Sequence, residues 1–323
     1  MRAIVLSKYG SPDLLQLKEV EKPTPKENEV LVKIHASAIN DYDWSMVRGK
    51  PFIYRLMFGL FKPKRNIPGM ELSGTIEAVG AAAKTFKVGD EVYGDTSDFG
   101  FGTFAEYIAI NEKALVLKPE KMSFEEAATI SHAAMLAYQG LIDSGKLKEQ
   151  QKILINGAGG GVGTFGLQIA KLHHAEVTGV DTGAKLEMMK SLGFDHVIDY
   201  KKVDFTKTGE QYDLILDAKT NRSPFAYARS LNQGGTYATV GGTLSRLFQI
   251  LCWKAWISKF KKKNLRIVAL KTNKDLDIIN KLYEEGKIKC VIDGPHELEN
   301  VPKALQYFGE GKHTGKVVVK VAI

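Results

Sequence analysis

Residues 152–163 read Lys-Ile-Leu-Ile-Asn-Gly-Ala-Gly-Gly-Gly-Val-Gly, an apolar strand that runs straight into a glycine turn and then a helical stretch over 164–172. A glycine turn between a strand and a helix brings bare backbone N–H groups and the positive helix end up to a pyrophosphate. The spacing is Ala158-x-Gly160-x-x-Gly163, with alanine in place of the first glycine and Gly161 and Val162 between the other two. A second match, Gly161-x-Gly163-x-x-Gly166, lies one turn into the helix and is out of register. Another strand follows at 176–180 and ends in Asp181, as a βαβ dinucleotide unit requires. Nucleotide binding is therefore expected.

Outward from that unit, strands alternate with helices at 195–199, 213–217, 236–240 and 266–270, which predicts a doubly wound parallel sheet. The first 120 residues differ. Short β-branched or alternating runs at 31–34, 73–80, 88–94 and 104–110, separated by glycine turns, suggest a barrel-like β domain. At Ser123-Phe124-Glu125-Glu126 the period becomes helical, with an N-cap and acidic residues in the first turn. Residues 315–321 return to β character, and we infer that they pair with the first domain.

The chain has 323 residues, room for two domains. No apolar run reaches membrane-spanning length. Residues 1–6 already read as a strand, so no signal peptide is expected. Two cysteines, Cys252 and Cys290, make no disulfide framework and no metal cluster, which fits a reducing, cytoplasmic compartment. The formal charge of +8 is unevenly spread: residues 48–65 carry six basic and no acidic side chains, and residues 246–266 carry seven and none. Without those thirteen charges the remainder stands at −5.

Several motifs carry a resemblance. Asn40-x-x-Asp43, the block at 68–80 beginning Pro68-Gly69-Met70-Glu71, the Gly89-Asp90-Glu91-Val92 stretch and Gly102-Thr103-Phe104-Ala105-Glu106-Tyr107 are similar to those of the medium-chain dehydrogenase/reductase superfamily. The resemblance implies an α/β protein: a GroES-like barrel domain, 1–121 plus 287–323, with an inserted doubly wound Rossmann domain, 122–286. Zinc-dependent alcohol dehydrogenases of that superfamily place metal ligands where this chain has Asn40, Met70 and His132. Asparagine and methionine are poor zinc partners, and one histidine cannot build a site of three protein ligands. The four-cysteine zinc loop is missing too. The chain thus resembles the zinc-free branch, the zeta-crystallin-like quinone oxidoreductases and enone reductases, and no metal is expected. His132 reads as a helix histidine satisfied by a neighbour.

Without a Lewis acid, conjugated substrates are favoured, because charge delocalises onto an oxygen that a few hydrogen bonds can hold. The expected reaction is hydride transfer from a nicotinamide to a quinone or an activated C=C bond, positioning supplying most of the rate. Asn40 is the first choice for holding the nicotinamide-side ribose or the substrate oxygen. Tyr42, Tyr54 and Tyr93 are candidate donors to the developing phenolate or enolate, and Asp43 caps or orients its loop. At the end of the second strand two readings compete. Asp181 would bind ribose hydroxyls and favour NADH. By the resemblance, Lys185 and Tyr200, with Thr182 as a further donor, would hold the 2′-phosphate of NADPH, which is the cofactor expected. Gly241 and Gly242 end the fifth strand beside the ligand, and Lys316 resembles a C-terminal lysine lying beside the cofactor.

The two basic segments also contain apolar runs, 52–61 and 247–257. They form either core helices or a subunit interface, or an apolar, positively rimmed mouth for a long-tailed substrate that rests on an anionic membrane. A homodimer is expected. The alternatives are a zinc-type alcohol dehydrogenase, a protein that binds RNA in competition with NADPH, and a catalytically idle docking subunit; nucleic acid is disfavoured because no RNA-reading motif is present.

Overall fold

The computed structural model describes residues 1–321. Ala322 and Ile323, the end of the expected C-terminal return, lie outside the described residues, as does the side chain of Met57 in the first apolar run. The chain begins with β1 (Arg2–Leu6), β2 (Leu15–Glu19), β3 (Glu29–Ala38), α1 (Asp41–Arg48), α2 (Ile53–Phe58), β4 (Glu71–Val79), β5 (Glu91–Asp95), β6 (Tyr107–Asn111) and β7 (Val116–Leu117). It continues with α3 (Phe124–Tyr138), β8 (Lys152–Asn156), α4 (Gly161–Lys171), β9 (Glu176–Asp181), α5 (Leu186–Leu192), β10 (His196–Asp199), β11 (Tyr212–Asp217) and α6 (Pro224–Arg229). It ends with β12 (Leu231–Thr239), α7 (Leu244–Lys261), β13 (Asn264–Ile267), α8 (Leu276–Glu284), β14 (Ile292–Glu297), α9 (Val301–Gly309) and β15 (Lys316–Lys320).

Two compact units result. Among the described residues the first holds 1–132, 272–280 and 292–321, and the second holds 133–271 and 281–291. The first unit thus reaches into α3 as far as His132 and takes up 272–280, where the sequence predicts the nucleotide domain, while residues 287–291, predicted for the barrel domain, fall in the second unit. Its main sheet runs β14-β15-β3-β4-β5-β7, with β6 on β3, and β1 and β2 form a separate antiparallel pair. Strand β15 pairs antiparallel with β3, Val318 opposite Ala38, so the C-terminal return does join the N-terminal strands. Its valines 317–319 are fully buried with Val30, Val32 and Ile34 of β3. This buried apolar face is what fixes the register.

In the second unit six parallel strands lie in the order β10-β9-β8-β11-β12-β13. Central strand β8 carries Ile153-Leu154-Ile155, all buried, the continuous apolar run of a strand covered on both faces. Helix α3 starts on a reciprocal cap: Ser123 Oγ accepts from Glu126 N–H at 3.1 Å and Glu126 Oε2 from Ser123 N–H at 3.0 Å. The sixth strand begins two residues earlier than expected, at Asn264.

The apolar runs are not core helices. Phe52, Ile53, Leu56, Leu60 and Phe61 around α2 are all exposed, and in α7 only Ile250 and Ile257 are buried.

Candidate functional site

In the second unit the glycine turn leaves β8 with Gly157 at φ +87° and enters α4 with Gly160 as its N-cap. The first intrahelical bond runs from Thr164 N–H to the Gly160 carbonyl. The N–H groups of Gly161, Val162 and Gly163 therefore belong to the donor end of the helix. A Cβ on Gly163 would lie 2.4 Å from the Ala158 Cα and carbonyl oxygen, so the helix can seat on the turn only without a side chain there. A bare turn ending in a helix donor end fits a dinucleotide pyrophosphate. Ala158 is buried beneath it.

At the end of β9 the competing residues contact one another. Asp181 Oδ2 accepts from Gly159 N–H at 2.9 Å and Oδ1 from Thr182 N–H at 2.8 Å, while the Lys185 ammonium lies 3.6 Å from Oδ1. Asp181 and Lys185 are both buried; Thr182 is half-buried and Tyr200 exposed. Asp181 is thus turned inward, holding the turn and pairing with a lysine, instead of offering its carboxylate to a ribose. Gly159, which the spacing rule leaves as an unspecified position, is needed as well: a Cβ there would meet Lys185 Cδ at 2.6 Å.

A second group, missed in sequence because it joins three strand ends, surrounds the buried carboxylate of Asp217 at the end of β11. It accepts from Asn156 Nδ2 of β8 at 2.8 Å, Tyr237 O–H of β12 at 2.9 Å and Thr220 N–H at 2.9 Å. Thr239 Oγ1 donates to the Gly241 carbonyl at 2.7 Å. Gly242 has φ +141°, and a Cβ on it would lie 2.3 Å from that of Thr220; Gly241 has nothing closer than 4.0 Å. These groups lie at the carboxyl edge of the parallel sheet, where ligands bind in such folds.

In the first unit Asn40 precedes α1 and is almost fully buried. Its Oδ1 accepts from the Lys316 ammonium at 2.6 Å, and its Nδ2 donates to Glu71 Oε2 at 2.7 Å. Lys316 also pairs with Glu71 Oε2 at 2.5 Å, closing a triangle of buried polar groups. Glu71 Oε1 accepts from Ser131 Oγ at 2.9 Å and from His132 N–H at 2.6 Å. His132 Nδ1 lies 2.7 Å from Asp95 Oδ2. Burial opposes charge on His132, but the Asp95 hydrogen bond and charge, helped by Glu71, carry its pKa above the ordinary histidine value. Asp43 orients its loop as expected, accepting from Asn40 N–H at 2.8 Å and Gly69 N–H at 3.0 Å. Complete burial nevertheless pushes its carboxyl up to about 7, against the lowering effect of those bonds and of Lys316.

These donors do not fit zinc. The Asn40 oxygen already holds an ammonium, its nitrogen is a donor, and His132 is engaged with Asp95. Met70, at the remaining position, offers only a thioether, and it is buried.

The tyrosines separate. The Tyr42 ring stands edge-on to His132, centroids 6.2 Å apart, and edge-on to Tyr54 at 6.0 Å. The row continues through Phe58 to Phe101, and it borders a cavity of 270 Å³ lined by Met46, Phe58, Phe101, Lys64 and Arg65. Burial comes first in raising both phenol pKa values, with Asp95 and Asp98 adding to it at Tyr42. Tyr93 must be withdrawn as a donor to substrate: it is fully buried in β5, with its hydroxyl bonded to Asn280. A β-strand tyrosine on the inward face packs, whatever its hydroxyl could do elsewhere.

A GroES-like unit bearing a buried Lys–Asn–Glu cluster and a parallel-sheet unit bearing a glycine turn define an oxidoreductase of the dinucleotide-dependent class. Comparison with known proteins takes this further. Residues 26–120 match the family model "Alcohol dehydrogenase GroES-like domain", and residues 192–319 match "Zinc-binding dehydrogenase", a span that contains none of positions 40, 70 and 132. The chain is similar to a 2-methylene-furan-3-one reductase of Solanum lycopersicum, 33% identical over 99% of this chain and 79% of the relative. It is 31% identical to a chloroplast envelope quinone oxidoreductase homolog of Arabidopsis thaliana, covering 99% and 98%. Among solved structures, the quinone oxidoreductase from Coxiella burnetii superposes with a TM-score of 0.86 at 26% identity, over 100% of this chain and 99% of that one. The chain belongs to the medium-chain dehydrogenase/reductase superfamily, in its quinone oxidoreductase-like branch.

Proposed function

We propose that the chain reduces lipophilic quinones or enones with NADPH and without a metal. The observation that carries this reading is the buried Lys316 ammonium bound to Asn40 and Glu71, a protein cation at the residue that would otherwise have to ligate zinc. The names of relatives support the substrate class: a furanone reductase, a quinone oxidoreductase and, at 32% identity over 99% of this chain, an NADPH-dependent alkenal/one oxidoreductase of Arabidopsis thaliana.

A bound reduced nicotinamide supplies the hydride. The chain supplies the rest. Gly160, Gly161, Val162 and Gly163 would hold the pyrophosphate, and Gly241 and Gly242 the nicotinamide half. Thr182, Lys185 and Tyr200 would hold the 2′-phosphate of NADPH, the Lys185 pairing offsetting the repulsion from Asp181. Asn40 and Lys316 orient the nicotinamide-side ribose or the substrate oxygen. Tyr42 and Tyr54, protonated at neutral pH, donate to the charge that develops on that oxygen. The aromatic-lined cavity takes the conjugated ring, with Lys64 and Arg65 beside it. The location follows the cysteine usage, two residues with no disulfide among the described residues, and is a reducing cytoplasm; several plant relatives are named as chloroplastic.

The test is oxidation of NADPH and of NADH by the purified chain with a benzoquinone, a long-chain enal and a saturated ketone, with and without a chelator. Turnover of the quinone or enal, unaffected by chelation, is expected. Turnover of the saturated ketone that chelation abolishes would overturn the reading.

A further inference from the structure

Helix α7 is 18 residues long, and its surroundings leave most of it uncovered. Only Ile250 and Ile257, one heptad apart, are buried. Around the outer arc stand Leu244, Phe248, Leu251, Trp253, Trp256 and Phe260, with exposures of 67% for Phe248, 60% for Phe260 and 40% for Trp256. The two tryptophans lean on Phe225, and Trp256 on Phe260, giving an aromatic shelf along one side. Exposed apolar surface of this extent marks an interaction site.

Its charge selects the partner. From Leu244 to Lys262 there is no acidic residue, whereas Lys254, Lys259, Lys261 and Lys262 are exposed and, among the described residues, in no ion pair. Lys263 is different: its ammonium turns inward and donates to the carbonyls of Ala228 (2.8 Å) and Leu231, so it is a structural tie and not part of the surface. Beside the helix, against β13, a groove of 400 Å³ is lined by Lys254, Arg266, Ser258 and Asn264, two cations and two hydrogen-bond donors. A second copy of α7 packed on the first would offer these lysines no acidic partner, since 244–262 contains none. Among the described residues no helix is long and apolar enough to cross a membrane. Exposed aromatic rings seat at headgroup level in a membrane interface, and lysines with no acidic neighbour are drawn to anionic lipid, so this surface suits an anionic lipid interface.

We propose that α7 docks this protein on an anionic lipid surface, the apolar arc entering the acyl boundary and the groove beside Lys254 and Arg266 taking a headgroup phosphate. The inference stands on α7 and the groove beside it and is independent of the reaction proposed above.

The test is co-sedimentation of the full chain with vesicles of phosphatidylcholine alone and of phosphatidylcholine mixed with phosphatidylglycerol. Binding is expected to the mixed vesicles, with a blue shift of tryptophan emission and release by salt. Lys259→Glu/Lys261→Glu/Lys262→Glu should lower the partition coefficient about a hundredfold or more. Phe248→Ser/Leu251→Ser, with every charge kept, should lower it as well; an unchanged thermal transition confirms that both variants fold. Absent binding to the mixed vesicles overturns the proposal. So does binding that either variant leaves intact. Self-association lost in Phe248→Ser/Leu251→Ser without vesicle binding would assign the face to a second copy. Salt-sensitive capture of single-stranded RNA without vesicle binding would assign it to a nucleic acid.

Discussion

Lys316 places its ammonium 2.6 Å from the side-chain oxygen of Asn40, although 276 residues separate them in the chain. The contact is possible because β15 pairs with β3, whose end leads directly into Asn40. Both residues share Glu71, so the cluster is a buried ion pair bridged by an amide. Removing one charge of such a pair strands the other. Lys316→Met should therefore cost about 3–5 kcal/mol, and Lys316→Met/Glu71→Gln markedly less. Urea midpoints of the two variants check this, and equal losses would show that the pair is not coupled.

Asn40→Ala should lower kcat about a hundredfold, the scale of losing one oriented hydrogen-bonding group, while the Kd for NADPH stays near that of the parent. Stopped-flow turnover and fluorescence titration read the two quantities separately. Unchanged turnover removes Asn40 from the mechanism.

Three glycines should respond differently to alanine. At Gly163 the new methyl meets backbone atoms of Ala158 that cannot yield, so cofactor binding should be lost. At Gly159 it meets the flexible Lys185 side chain, which can move at the expense of its contact with Asp181, so binding should weaken but persist. Gly241→Ala should bind like the parent, since nothing lies within 4.0 Å. Cofactor titration of the three variants ranks them.

Lys185→Met should weaken NADPH by more than tenfold relative to NADH. It removes a cation from the 2′-phosphate and also unmasks Asp181, whose charge then repels that phosphate. Dissociation constants for both cofactors, in parent and variant, measure the change. An equal loss for both would place Lys185 in the fold alone.

Stability should fall as pH rises from about 4 to about 7. Asp43 has a folded pKa pushed up to about 7, above its ordinary 3.8, so between those values the folded state holds a proton that the unfolded chain releases. His132 continues the trend: its stabilisation is full below the ordinary histidine pKa and is lost as pH climbs through its raised folded value. Asp43→Asn should melt lower than the parent at pH 4, having lost an acceptor, yet show a flatter profile to pH 7. Thermal melts across that range decide; a parallel profile would mean that Asp43 does not titrate in the window.

What the sequence discloses and what it withholds divide along contact range. Glycine at 160 and 163, the Ile153-Leu154-Ile155 run and the Ser123 cap are local signals, because turn, strand and cap chemistry act over a few residues. The inward turn of Asp181 and the embrace of Lys316 by Asn40 and Glu71 are products of strand pairing across long separations, and neither has a spacing rule. Asp217 shows the same limit: as the last residue of β11 it reads as a polar strand end, and only the sheet order brings Asn156 and Tyr237 to it. Lys263 sits in a run of three lysines that looks uniform, yet one of them satisfies carbonyls in the interior.

The glycine turn is braced before any ligand is considered. Gly157 and Ala158 both donate to the Val180 carbonyl, at 2.9 and 3.1 Å, and Gly159 donates to Asp181. The loop's conformational entropy is therefore surrendered during folding, by neighbours in β9, and not at the moment of association. Loosening that brace through Asp181→Ala should leave the binding enthalpy largely in place and make the entropy of association more unfavourable, a calorimetric signature of ordering deferred to the encounter with the nucleotide.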